Sequence, residues 1–117
     1  MKTKIGMEFE IDFSHILKGH PKCGQLHGHT SIIQVEISGE TSSGNSYQDN
    51  MIMDFDEMRG KCWNVISQLD HKDLNTIFEY PTSENITSWI FKNLKNQIPI
   101  SSVKFYEGNG KWCIVEK

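Results

Sequence analysis

Two runs of strict alternation, residues 3–14 and 29–39, limit how this chain can fold. Ile5, Met7, Phe9, Ile11 and Phe13 alternate with Lys4, Gly6, Glu8, Glu10 and Asp12, and Ile33, Val35 and Ile37 carry the same period through the second run. Side chains two apart on a strand share a face, so each run predicts a strand with one apolar and one polar side. The parity continues past the apolar residues: His15 extends the odd positions of the first run, and His27 and His29 lead into those of the second. If the runs pair antiparallel across a loop holding Pro21, Gly24 and Gly28, three imidazoles converge at one end of a long hairpin. Three histidines leave a fourth zinc position open to water or substrate, as catalytic sites do. A bare His-Gly-His suits two surface histidines beside a turn glycine equally well; His15 upstream and Cys23 nearby add weight to a metal. From the residues alone Cys23 has two possible parts. It is either a fourth ligand closing a structural site, or a thiol held partly as thiolate beside the cation and able to take a proton.

Length and charge narrow the class. A chain of 117 residues makes one domain, residues 1–117, which buries roughly two-thirds of its unfolded surface without disulfides. Three cysteines without framework spacing fit free thiols in a reducing compartment, with Cys62 and Cys113 reading as small buried apolar residues. The first twenty residues contain Lys2, Lys4, Glu8, Glu10 and Asp12 and no apolar run, and no later stretch is long enough to span a bilayer. The expectation is a soluble, cytoplasmic protein without a membrane partner. A net charge of -3 with dispersed Lys and Arg leaves no basic stripe for nucleic acid. Lys18, His20, Lys22, Lys72 and Lys104 read as solvated surface groups, and none is assigned to a phosphate.

Beyond residue 39 the period changes. Gly39 to Asp49 is polar and aperiodic, a loop, followed by short extended Met51–Met53. Asp54-Phe55-Asp56-Glu57 is a helix start, and Phe55, Met58, Cys62, Val65, Ile66 and Leu69 form a helical stripe predicted to end near Asp70. Pro81-Thr82-Ser83-Glu84-Asn85 opens a second helix with Thr82 or Ser83 as its cap and Ile86, Trp89, Ile90 and Leu94 on its buried side; Pro99 closes it. Residues 103–107 and 112–115 flank Gly108-Asn109-Gly110 as a hairpin. The order is β-β-α-α-β-β, an α+β chain.

Phe13-Ser14-His15, Lys22-Cys23-Gly24-Gln25-Leu26-His27-Gly28-His29-Thr30, Met53-Asp54-Phe55, Leu69-Asp70-His71, Leu74-Asn75, Pro81-Thr82-Ser83-Glu84-Asn85 and Glu107 occur in one order over nearly the whole chain. In that order the chain resembles the family of 6-pyruvoyltetrahydropterin synthase and its relative, 6-carboxy-5,6,7,8-tetrahydropterin synthase of the queuosine pathway. The resemblance implies a tunnelling fold: a four-stranded antiparallel sheet with two helices on one face, joined edge to edge into trimers that stack as a homohexamer. It implies Zn2+ held by His15, His27 and His29, with Cys23 as general base and Asp70-His71 as a proton-transfer pair. It also implies a pterin gripped by Glu107, with Thr82 and Ser83 in contact. From the residues alone Asp70-His71 better suits a polar helix terminus and Glu107 an exposed strand end, and Thr82 or Ser83 also suits an ordinary cap. The family usually places threonine or serine after the glutamate, and Gly108 departs from this.

The activity implied is a zinc-dependent lyase acting on 7,8-dihydroneopterin triphosphate. The three residues between Cys23 and His27 match the short gap typical of the carboxy-forming relatives, whereas pyruvoyl-forming ones have a longer gap. The expected products are therefore 6-carboxytetrahydropterin, acetaldehyde and triphosphate. The alternatives are pyruvoyl formation and a non-catalytic zinc- or pterin-binding module of the same fold.

Overall fold

The computed structural model describes residues 1–117. Strand β1 (Thr3–His15) and strand β2 (His27–Gly39) pair antiparallel from Thr3↔Gly39 to His15↔His27. The alternation does what the sequence implies: Phe9, Ile11, Phe13, Ile33, Val35 and Ile37 are buried on one face, while the even positions remain exposed or half-buried on the other. Strand β4 (Ile100–Tyr106) adds to β2, and β5 (Trp112–Glu116) to β4, both antiparallel. A register shift at Glu36/Ile37 lets Ile100 and Val103, an odd step apart, both face the core.

Helix α1 (Phe55–Ile66) begins where the Asp54 carboxylate accepts from the Asp56 amide at 2.8 Å. Its buried stripe is Met58, Cys62, Val65 and Ile66. Phe55, expected on that stripe, is 51% exposed; as the first helical residue it overhangs the core and borders a shallow groove with Ile5, Ile52 and Met53. The helix stops at Ile66 and not near Asp70, because the chain tightens into three-residue turns, Gln68 N to Val65 O, Leu69 N to Ile66 O and Asp70 N to Ser67 O. This carries it down to the sheet edge, where Lys72–Asp73, strand β3, pairs parallel with Phe13 and Ser14. The sheet therefore has five strands in the order β3-β1-β2-β4-β5 instead of four. Around Met51, where an extended stretch was expected, a 3-10 turn at Gln48–Asn50 gives way to bends.

Helix α2 (Ser83–Leu94) buries Ile86, Thr87, Ile90 and Leu94. Trp89, expected among them, is half-buried and meets Phe78 edge-on at 6.0 Å. Both helices pack on the apolar face of the sheet in one continuous core, so burial alone makes this hydrophobic layer the main stabilising term. Cys62 lies inside that core, whereas Cys113 is only half-buried. No helix is long and apolar enough to cross a membrane.

Candidate active site

The β1–β2 register places His15 opposite His27 and Phe13 opposite His29. The three imidazoles follow from this: their ring centroids lie 4.5, 5.0 and 4.9 Å apart, pairwise. His15 is fully buried and its Nδ1 lies 2.8 Å from the Pro81 carbonyl; His27 Nδ1 lies 2.7 Å from the Gln25 carbonyl. A carbonyl only accepts, so both rings carry a proton on Nδ1, and Nε2 is the nitrogen each turns inward. The Nε2 atoms of His15, His27 and His29 are all buried and without a hydrogen-bond partner, and one nitrogen from each ring lies within 4.8 Å of the others. Buried polar atoms are rarely left unpaired. Three converging imidazole acceptors with carbonyls fixing two of the rings are the donor set of a borderline-soft divalent cation, and zinc fits them. Burial pushes the His29 pKa below its ordinary value; the Glu107 carboxylate opposes that, while His15, His27 and Lys111 add to it. A neutral ring is the form a metal needs.

Glu107, at the end of β4, enters this pocket. Its Oε1 is 3.8 Å from His29 Nε2, and its Oε2 accepts a hydrogen bond of 2.9 Å from the Ser83 hydroxyl. The two residues at the head of α2 divide their work. Thr82 is the cap, its Oγ1 accepting from the Asn85 amide at 3.2 Å, and Ser83 is turned across to the glutamate. Gly108 and Gly110 both have positive φ, 66° and 81°, and the turn they form closes with Glu107 N donating to Lys111 O. The left-handed backbone explains a glycine at position 108, where a side chain is strained. A Cβ there would sit 4.0 Å from His29 Nδ1.

Asp70 and His71 form a second group on the outer edge of β1. His71 Nδ1 lies 3.0 Å from Asp70 Oδ1, and the same oxygen accepts from the Asp12 amide at 3.0 Å. The His71 amide returns a bond of 2.7 Å to the Asp12 carbonyl, holding His71 at φ 58°, the only positive φ outside glycine. Its side chain is 77% exposed, whereas that of Asp70 is 19% exposed. An oriented imidazole with an open outer nitrogen can pass a proton to something that docks against it. Asp12, Asp70 and His71 are within 4.8 Å of one another, but the carboxylates are already occupied by the Asp12 amide and the Thr30 hydroxyl. Cys23 is half-buried in the β1–β2 loop and joins neither group. The closed four-ligand site is thus not formed by this chain.

Asn75 was not singled out as a site residue by sequence reasoning. Its side-chain amide bridges the two peptide groups that flank Ile16, Oδ1 accepting from Ile16 N at 2.7 Å and Nδ2 donating to Ile16 O at 3.0 Å. It clamps the residue after His15. The nearest signal was its place in the Leu74-Asn75 pair, which says nothing of the partner.

Comparison with known proteins identifies the family of the chain. The model of the family described as 6-pyruvoyl tetrahydropterin synthase matches residues 4–117. A Haemophilus influenzae protein named 6-carboxy-5,6,7,8-tetrahydropterin synthase is 34% identical, covering 94% of this chain and 96% of its own. A Pyrococcus furiosus protein named dihydroneopterin monophosphate aldolase is also 34% identical, over 93% of each chain. The solved structure of Caenorhabditis elegans 6-pyruvoyl tetrahydropterin synthase superposes with a TM-score of 0.87 at 18% identity, covering 100% of this chain and 96% of that one, a likeness of fold. A histidine triad at the hairpin end, a five-stranded sheet backed by two helices and a family match over nearly every residue lead to one conclusion: this chain belongs to the 6-pyruvoyl tetrahydropterin synthase family.

Proposed function

We propose that the protein is a zinc-dependent 6-carboxy-5,6,7,8-tetrahydropterin synthase of the cytoplasm, converting 7,8-dihydroneopterin triphosphate and one water to 6-carboxytetrahydropterin, acetaldehyde and triphosphate in the queuosine pathway. The observation that carries the reading is the set of three buried, unpartnered Nε2 atoms with a Ser83-anchored carboxylate beside them. Zinc bound there supplies Lewis acidity toward the hydroxyls of the substrate side chain. Glu107 accepts paired hydrogen bonds from the 2-amino group and the adjacent ring N–H, which orients the pterin. Cys23 takes a proton from the side-chain carbon, and His71, held by Asp70, transfers protons at the side-chain oxygens. The short Cys23–His27 spacing supports the carboxy-forming branch.

Incubation of zinc-loaded protein with 7,8-dihydroneopterin triphosphate, with aldehydes trapped by a hydrazine and products weighed by mass spectrometry, should yield acetaldehyde and a 6-carboxypterin species. A 6-pyruvoyl product without aldehyde would assign the alternative synthase. A phosphorylated two-carbon aldehyde would match the activity in the Pyrococcus furiosus relative's name, and unchanged substrate with zinc and pterin bound would leave a binding module.

A further inference from the structure

The loop that presents Cys23 is organised by His20. Its ring Nδ1 accepts two backbone hydrogen bonds, from Lys22 N at 3.1 Å and from Cys23 N at 2.9 Å. This is the geometry of a helix or Asx cap, a side-chain acceptor gathering the amides two and three residues ahead, performed here by an imidazole. Pro21 suits the position between them, because it has no N–H to compete and its ring fixes φ. The backbone closes around the same point: Leu17 N donates to Cys23 O at 2.7 Å and His20 N to Leu17 O at 3.0 Å. A Cβ on Gly24 would fall 2.7 Å from the His20 carbonyl oxygen, so only glycine lets the chain leave Cys23 along this path. Two amide donors on one nitrogen also assign the ring its neutral form, with the proton on Nε2.

We propose that His20 is a positioning residue for Cys23, its Nδ1 fixing the peptide on which the thiol stands. The inference rests on the thiol being the general base of the proposed reaction, where small displacements of a reacting group are costly. Nothing else ties the Cys23 amide: the groups at the metal centre hold His15, His27 and Glu107, and those at the sheet edge hold Asp70 and His71.

Two variants of the zinc-loaded protein test this. His20→Phe removes the acceptor and keeps a ring; His20→Asn places an amide oxygen close to where Nδ1 stood. The expected result for His20→Phe is fast millisecond hydrogen exchange at the Lys22 and Cys23 amides, unchanged zinc content, and kcat lowered roughly 10- to 100-fold with little change in KM. His20→Asn should restore both the exchange protection and most of kcat, which a ring serving only as packing would not do. Unchanged exchange in His20→Phe would overturn the clamp; faster exchange with wild-type kcat, or an Asn variant protected yet as slow as the Phe variant, would overturn its role in positioning. A Cys23→Ala enzyme that still turns over would remove the thiol from the reaction and with it the role given to His20. That outcome is told apart from loss of the clamp because exchange is read independently of turnover.

Discussion

Two thiols in this protein show how placement decides reactivity. Cys62 is fully buried between helix and sheet, and burial raises its pKa from 9.0 to about 11, so at neutral pH it is a small apolar filler. Cys23 is half-buried on a loop held by backbone hydrogen bonds. An alkylating reagent at neutral pH should therefore modify Cys23 and leave Cys62 unmodified until the chain unfolds; peptide mapping showing Cys62 labelled first would contradict the assignment. The same shift sets a direction for stability. Between about pH 9 and about 11 the folded chain keeps the Cys62 proton that the unfolded chain has released, so stability is unaffected below this window and declines as pH rises through it. The triad was legible in the sequence for a comparable reason. His15, His27 and His29 share a strand parity with six buried apolar residues, and parity survives folding. The tasks of His20, Ser83 and Asn75 were not legible, because each consists of a hydrogen bond whose partner no local pattern specifies.

At the scale of elements, the long strands and both helices could be read because each has enough repeats for a period to show. Strand β3 could not, since a strand of two residues has no period, and the end of α1 was obscured because Leu69 keeps the helical phase after the hydrogen bonds have shortened. That unread stretch, residues 67–76, links the two chemical groups. It presents Asp70 and His71, pairs with β1, and in the 3-10 turn Leu74–Thr76 supplies Asn75, whose clamp on Ile16 adjoins His15 of the triad. Asn75→Ala removes two hydrogen bonds from the partly buried backbone N–H and C=O of Ile16 and should cost about 1–3 kcal/mol of stability. Because His15, a ligand of the proposed zinc site, is joined directly to Ile16, the zinc-loaded variant should also lose metal to a chelator sooner than zinc-loaded wild type does. Denaturant unfolding of the metal-free protein separates the first effect from the second, and a variant with wild-type midpoint and wild-type zinc retention would show that the clamp positions nothing.

For the molecule as a whole, the sheet separates the parts of the site. The triad lies at the end of the face covered by helices, since His15, His27 and His29 have the parity of Phe13 and Ile33, whereas Asp70 and His71 meet Asp12, whose parity belongs to the open face. One chain therefore forms the histidine triad and the Asp70–His71 pair as two groups sharing no residue. The chain also leaves two sheet edges open: β3 covers only Phe13 and Ser14 of β1, and the outer side of β5, which carries the exposed Trp112 and Ile114, has no partner strand. Open edges with exposed apolar side chains are sites for strand addition, and closure with further copies removes them. The proposed edge-to-edge homohexamer predicts a shared site, in which the thiol of one subunit works with the Asp70–His71 pair of a neighbour. Complementation tests this directly. Cys23→Ala and His71→Ala proteins should each be inactive alone. If the thiol and the pair come from adjacent subunits, equal amounts exchanged to random mixing restore about one quarter of the sites, because each needs an intact thiol donor beside an intact pair donor. Activity near that fraction, rising with the extent of subunit exchange measured by native mass spectrometry, supports a shared site; no recovery after complete exchange would show that the site is completed within one chain.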